Sequence, residues 1–128
     1  MKIRTGLQVV LTASAFVMWA NASWAGQVSV LDATVQANSN GTYAISATIF
    51  HKDEGWKHYA DKFEVLDINE KVLATRVLFH PHVDERPFTR SISNVAVPVG
   101  TISVIIRAHD SKHGDGKRMF ELKLPRRK

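Results

Sequence analysis

The sequence predicts an all-β fold: a seven-stranded immunoglobulin-like or fibronectin-type β-sandwich that follows a cleaved signal peptide. Short runs in which apolar and polar residues alternate with a period of two recur from residue 27 to residue 124. Turn-forming residues separate these runs, and no stretch has both the length and the 3.6-residue period of a helix. Cysteine is absent, so the Cys–Trp–Cys pattern of antibody domains is missing and the predicted likeness is architectural.

Residues 1–25 have the three parts of a secretory signal peptide. Lys2 and Arg4 give a positive start, an apolar run follows, and small residues precede the expected cleavage point after Ala25. A permanent membrane anchor is the alternative, but the run is short for a span of roughly 20 residues and contains polar side chains. We therefore expect a periplasmic or secreted protein whose mature part, residues 26–128, is one domain without a membrane span.

The first four strands are predicted at residues 28–36, 42–50, 61–68 and 72–79. Asn40-Gly41 lies between the first two strands and is typical of hairpins, because both residues tolerate positive φ. The second strand has an apolar face formed by Tyr43, Ile45, Ala47 and Ile49. The third strand carries apolar side chains on both faces, and a tight turn at residues 69–71 leads to the fourth.

The last three strands are predicted at residues 88–93, 101–108 and 118–124. Pro98 and Gly100 mark the connection before the sixth strand. In the seventh strand Phe120, Leu122 and Leu124 alternate with charged residues, and the following proline ends the run. Seven short strands at this spacing favour a sandwich of two antiparallel sheets.

All six histidines lie in three inter-strand stretches, residues 51–60, 80–87 and 109–117. Successive antiparallel strands alternate in direction, so their loops alternate between the two ends of the sandwich. Counting seven strands places all three stretches at the same end. We therefore predict one histidine-bearing pole and one pole without histidine.

Neutral imidazole is a common ligand of Zn²⁺ and Cu²⁺, so this pole predicts a zinc or copper site. His80 and His82 are the first choice, because side chains two apart on an extended segment point to the same side. His51 and His109 come next, since each directly follows a predicted strand. The complete set of candidate metal ligands is His80, His82, His51, His109, His58 and His113.

Carboxylates of the same pole are candidates to orient the imidazole rings or to act as ligands themselves. They are Asp53, Glu54, Asp84, Glu85 and Asp110. A polar network of hydrogen-bonded loops without a metal is the alternative interpretation. Trp56 and Tyr59 are expected to form a packed lid over this end of the sandwich.

Three segments resemble those of known proteins: HKDEGWKHYADKFEVL, TRVLFHPHVDERPFTRSI and RAHDSKHG. They are similar to segments of a family of small secreted bacterial proteins that carry close versions of all three. The resemblance covers most of the chain after the signal peptide. It implies an exported bacterial domain and assigns no catalytic residues.

Composition and charge narrow the classes of function. The lack of cysteine excludes thiolate metal sites and thiol catalysis and leads us to expect no cysteine-linked lipid. Removing Lys2 and Arg4 from the 17 basic residues leaves 15, which are dispersed rather than gathered in a stripe with aromatics, so we expect no nucleic-acid partner.

Two functional hypotheses remain. The first is a metal-binding or metal-handling protein of the periplasm or exterior. The second is a non-enzymatic protein–protein interaction module of the bacterial envelope, with an envelope protein as its partner. We do not expect an enzyme, because the sequence has no nucleophile motif, no glycine-rich phosphate loop and no insertion of the size of a pocket.

Overall fold

The computed structural model describes residues 27–127, and the predicted signal peptide lies outside them. These residues form eight strands: β1 (Ser29–Ala37), β2 (Tyr43–Phe50), β3 (Ala60–Leu66), β4 (Val72–Val77), β5 (Phe88–Val95), β6 (Ser103–Asp110), β7 (Gly114–Asp115) and β8 (Phe120–Lys123). Within this part of the chain there is no helix, hence none that is long and apolar enough to cross a bilayer. The predicted all-β class is confirmed.

Two antiparallel sheets pack against each other. The first sheet has the strand order β1-β2-β5, and the second has the order β4-β3-β6, with β7 and β8 both pairing with β6. Every pairing between named strands is antiparallel. The predicted β-sandwich is therefore confirmed, and its immunoglobulin-like type stays a prediction.

The core lies between the sheets and follows the period-two pattern of the sequence. Tyr43, Ile45, Ala47 and Ile49 of β2 are all buried, as their alternation predicts. They belong to one apolar cluster with Phe63 of β3. Burial of this apolar surface is the main favourable contribution to folding, and it fixes which face of each strand points inward.

β6 differs from its predicted bounds in a way that matters for the site. It extends to Asp110 because Ala60 pairs with Asp110 and the short strand β7 folds back on the same end. His109 and Asp110 therefore lie in a strand rather than in a loop. Since successive strand side chains point to opposite faces, Asp110 is fully buried and His109 is partly exposed.

The three histidine-bearing loops lie at one end of the sandwich, as the strand count predicts, and they contact one another. The backbone N–H of His82 donates to Asp53 Oδ2 at 2.6 Å, which joins the β4–β5 loop to the β2–β3 loop. Tyr59 and Ser111 exchange two hydrogen bonds, of 2.9 and 3.0 Å, which join the β2–β3 loop to the turn after β6. We call this end the histidine pole, and the opposite end the far pole.

Candidate metal centre

Asp110, the last residue of β6, is the point at which the histidine pole converges. Its Oδ2 contacts three imidazole nitrogens: His51 Nε2 at 2.7 Å, His58 Nε2 at 2.9 Å and His113 Nδ1 at 3.1 Å. Its Oδ1 accepts the backbone N–H groups of Lys112 at 2.7 Å and of His113 at 3.1 Å. One buried carboxylate therefore gathers side chains from two of the three loops.

Two further carboxylates lie behind the rings of His51 and His58. His51 Nδ1 contacts Asp53 Oδ1 at 2.5 Å, and His58 Nδ1 is hydrogen-bonded to Glu54. An ionised carboxylate can only accept, so a ring nitrogen that donates to one carries the hydrogen of that bond; an ion bound at Nε2 would replace the hydrogen there and leave Nδ1–H on its carboxylate. Both rings are thereby oriented with Nε2 towards Asp110.

Asp53 is itself held firmly, which fixes the ring of His51. Its Oδ1 also accepts the backbone N–H of Ala60 at 3.1 Å, and its Oδ2 accepts that of His82. Partners of this kind behind a ligand imidazole are a regular feature of metal sites, where they fix the tautomer and the ring orientation.

Two carboxyl groups of the cluster, those of Asp110 and Glu54, have pKa values below their usual range. Burial alone would raise the pKa of Asp110, but hydrogen bonds from the Lys112 backbone, the His113 ring and backbone and the His58 ring hold this pKa well below its usual value. The pKa of Glu54 is lowered by the hydrogen bond from His58 and by the charge of that ring. Burying such charge is unfavourable unless cationic or hydrogen-bonding groups surround it.

His51, His58 and Asp110 have the composition and the spacing of a metal site. Each is buried and offers one ligand atom, and the three atoms lie within 4.8 Å of one another. Zn²⁺ binds imidazole nitrogen and carboxylate oxygen at about 2.0–2.2 Å, which puts tetrahedral ligand atoms about 3.4 Å apart. The contacts of 2.7 and 2.9 Å around Asp110 Oδ2 are slightly shorter, so small outward movements of the side chains would admit an ion.

The structure does not bring His80, His82 or His109 into this group. His80 is exposed, and its Nδ1 lies 3.1 Å from the carbonyl oxygen of Pro81. His82 is buried with its ring stacked on Phe88 at a centroid distance of 4.1 Å. The ring of His109 pairs with Asp61 at 2.6 Å. Of the four residues expected first as ligands, His80, His82, His51 and His109, only His51 lies in this group, and their binding of a metal stays a prediction.

His80 and His82 form a separate pair in cationic surroundings. Their ring centroids are 4.9 Å apart, and with Arg76 and Arg90 they line a pocket of about 80 Å³. Burial, followed by the positive charges of Arg90 and His80, lowers the pKa of His82. A divalent cation would be repelled by the guanidinium groups here, so this pair is a poorer metal site than the cluster at Asp110.

The predicted carboxylates also fall into two groups, one at the Asp110 cluster and one beside His80 and His82. Asp53 and Glu54 orient imidazole rings, whereas Asp110 lies in the candidate ligand group itself. Glu85 forms an ion pair with Arg90 at 3.0 Å, and Asp84 is an exposed residue of the β4–β5 loop. Asp61 was not among the predicted carboxylates. It reaches the ring of His109 because its neighbour Lys62 pairs with His109 in the β3–β6 ladder.

Trp56 differs from its expected role. Its side chain is 68% exposed and meets the ring of Tyr59 edge to face at 5.7 Å. The prediction of a packed lid is therefore wrong for Trp56, and an aromatic surface lies in the same loop as His51 and His58.

The chain is similar to a protein of Halomicrobium mukohataei that bears the name "Putative lipoprotein". The two are 38% identical over 90 residues, which is 70% of this chain and 44% of the relative. This chain thus spans less than half of the length of that relative. No family model matches the chain, and no solved structure matches it. The family of small secreted bacterial proteins stays a prediction.

Proposed function

We propose that this is a metal-binding protein of the cell envelope or exterior that holds a zinc or copper ion through His51, His58 and Asp110. The observation that carries the proposal is the orientation of the two rings. Asp53 and Glu54 hold both Nδ1 atoms, so both Nε2 atoms are directed at one buried carboxylate oxygen. Two imidazoles and a carboxylate suit Zn²⁺ and Cu²⁺.

The alternative of a purely structural network explains the burial less well. A buried ionic cluster contributes little net stability, and apolar side chains of similar volume are often as good or better. The cluster nevertheless gathers buried side chains from β6 and the β2–β3 loop, and a backbone bond from the β4–β5 loop holds one of its carboxylates. A metal ion that is bound by these side chains explains why their unfavourable burial is maintained.

We further propose binding rather than catalysis. The pocket beside the histidine pole measures about 80 Å³, whereas pockets for small molecules usually exceed about 300 Å³. A larger pocket of about 380 Å³ lies at the far pole, next to Asn69 and Val99. The metal ion itself is therefore the ligand that the histidine pole suits best.

The proposed location has two supports. Residues 1–25 have the features of a signal peptide, and the name of the Halomicrobium relative is that of a lipoprotein. Fractionation of the native host, followed by detection of the mature N-terminus, tests this part independently of metal binding. A protein that stays in the cytoplasm with its first 25 residues intact would contradict it.

Calorimetric titration tests the metal site. Purified protein without a tag is stripped with a chelator and titrated separately with Zn²⁺, Cu²⁺, Fe²⁺ and Mn²⁺. We expect one ion per chain with a Kd below about 10 µM for Zn²⁺ or Cu²⁺, lost in His51→Ala and His58→Ala. His109→Ala is the matched control, because its ring also pairs with a carboxylate but lies outside the group. The proposal is overturned if the unaltered protein binds none of the four ions with a Kd below about 10 µM.

A second candidate function is an interaction module, and the exposed ring of Trp56 favours it. Exposed tryptophan is a frequent anchor of protein interfaces. Crosslinking in envelope fractions would test it with the unaltered protein and Trp56→Ala. A partner lost in Trp56→Ala and retained in the presence of chelator would favour this function over metal binding.

A further inference from the structure

The four side chains that meet at Asp110 Oδ2 differ in their access to solvent. The side chains of His51 and Asp110 are 0% exposed, and that of His58 is 8% exposed. The side chain of His113 is 35% exposed. His113 therefore lies between the buried group and solvent.

The turn after β6 holds His113 in this position. The backbone N–H groups of Lys112 and His113 both donate to Asp110 Oδ1, so the turn closes on the carboxylate. Gly114 then adopts a φ of 85°, which favours glycine, and pairs with Asp110 across the hairpin.

The returning strand is fixed against the body of the sandwich. Gly116 N–H donates to the carbonyl oxygen of Ala108 at 2.8 Å. A Cβ on Gly116 would lie 2.3 Å from the carbonyl oxygen of Val28, so only glycine fits at this approach. The turn is thus anchored on both sides of His113, and its ring is held at the cluster rather than extended into solvent.

We propose that His113 is a fourth ligand of the ion held by His51, His58 and Asp110, and that the ion enters and leaves on its side. His113 Nδ1 lies 3.1 Å from Asp110 Oδ2, and the centroids of the His113 and His58 rings are 4.8 Å apart. The rings of His51 and His58 have the same centroid distance. A third imidazole nitrogen therefore lies at the same oxygen, but it is outside the set of three ligand atoms within 4.8 Å of one another, so the ring of His113 would move towards the ion to bind it.

This inference rests on the proposed metal function and adds a mode of exchange to it. An ion with three buried ligands leaves only when a bond on an open side breaks, and among the four side chains His113 is the most exposed. Structural zinc sites are closed by four enclosed ligands. One solvent-facing ligand instead suits a protein that takes up an ion and passes it on.

The test compares two substitutions of His113 with a control on the same hairpin. His113→Ala removes both the nitrogen ligand and the hydrogen bond to Asp110. His113→Asn can keep an N–H donor near the position of Nδ1, but its amide is a poor ligand for Zn²⁺ or Cu²⁺. His109→Ala removes a neighbouring imidazole that pairs with Asp61.

Three readouts are measured for each variant: the Kd by competition with a chromophoric chelator, the release rate into excess EDTA, and the Cu²⁺ paramagnetic resonance spectrum. We expect both His113 variants to bind about 10- to 100-fold more weakly, to release the ion faster and to lose one coordinated nitrogen. Free imidazole should restore the spectrum of His113→Ala, because the vacated place is open to solvent. His109→Ala should behave as the unaltered protein.

The outcomes distinguish a failure of the inference about His113 from a failure of the proposed metal-binding function. If the unaltered protein binds no ion, the proposed function fails. If it binds and His113→Asn matches it in Kd, release rate and spectrum, the ring of His113 is at most a hydrogen-bond donor and the inference is overturned, whether or not His113→Ala binds more weakly. If His113→Ala does not fold, as judged by circular dichroism, His113→Asn decides.

Discussion

The histidine pole contains two groups of imidazoles in opposite electrostatic surroundings. In the cluster at Asp110, both nitrogens of His51 and both nitrogens of His58 face carboxylates. In the pair formed by His80 and His82, the rings lie beside Phe88 and two arginines, and Asp53 is 4.0 Å from His82 Nδ1. Both groups consist of histidines at the same pole, so the neighbouring side chains account for the difference in electrostatic surroundings.

That difference determines what each group can bind. Three anionic side chains around His51 and His58 attract cations and favour a metal ion. Around His82, burial and the positive charge of Arg90 disfavour any added cation, as the lowered pKa of this ring records. The His-x-His pair of this loop is a poorer metal site because Glu85, the carboxylate beside it, pairs with Arg90.

The largest effect is expected from Asp110→Asn. Asn has nearly the same shape, but it loses the charge and turns an amide N–H₂ towards imidazole or backbone donors. Breaking a buried charged network costs about 3–5 kcal/mol, so the free energy of unfolding should fall by that amount and metal binding should be lost.

Urea unfolding followed by circular dichroism checks this prediction, with Asp61→Asn as its control. Asp61 also pairs with a histidine, but both side chains are more than a quarter exposed. Exposed pairs contribute roughly 0–1 kcal/mol, so the control should unfold near the unaltered protein. Equal destabilisation by the two variants would mean that Asp110 is not the centre of the cluster.

The fold could be predicted from the sequence because its determinants are local. Alternation in β2 fixes the buried face, and turn residues such as Asn40-Gly41 fix where strands end. The common pole of the three histidine loops followed from counting strands. The short strand β7 escaped prediction because its two residues, Gly114 and Asp115, carry no alternating pattern.

The choice of ligands could not be predicted, because it depends on contacts between distant residues. Asp110 lies 59 positions from His51, and it reaches that ring only because β6 continues for two residues beyond its predicted end. Proximity in sequence favoured His80 and His82, yet the carboxylate beside them, Glu85, pairs with Arg90 instead. The short-range contacts of the cluster are the part that spacing could anticipate: His51 with Asp53, His58 with Glu54, and His113 with Asp110.

A smaller effect is expected from Glu54→Gln, which tests the carboxylates behind the rings. Glu54 holds the Nδ1 of His58, and loss of such a partner usually weakens metal binding about 10- to 100-fold. Glu85→Gln is the matched control, since Glu85 pairs with Arg90 next to the other two histidines. Calorimetric titration should find a weaker Kd only for Glu54→Gln; equal Kd values would show that this carboxylate does not tune the site.

A pH-dependent effect is expected from His82. Its lowered pKa means that the ring takes up a proton at lower pH in the folded protein than in the unfolded chain, whose pKa is about 6.5. The stability that this provides is present above pH 6.5 and is lost as pH falls through the folded pKa, by at most about 1.4 kcal/mol per pH unit.

His82→Phe should therefore reduce the difference in unfolding free energy between pH 7 and pH 5. Urea titrations at both pH values, in the presence of chelator, measure this difference. Any constant change from the larger ring cancels, because each variant is compared with itself. A difference equal to that of the unaltered protein would mean that His82 is not kept neutral by the fold.

The smallest effect is expected from His80→Ala. His80 is exposed, and its Nδ1 contacts the carbonyl oxygen of its own neighbour Pro81. Exposed substitutions of this kind usually change stability by less than about 0.5 kcal/mol. Because Arg76 and Arg90 line the same pocket, removal of His80 should also leave the Kd for Zn²⁺ and Cu²⁺ unchanged. If His80→Ala instead removes one bound ion per chain while the Asp110 cluster keeps its ion, the pole carries two metal sites, and the nearby arginines do not prevent cation binding.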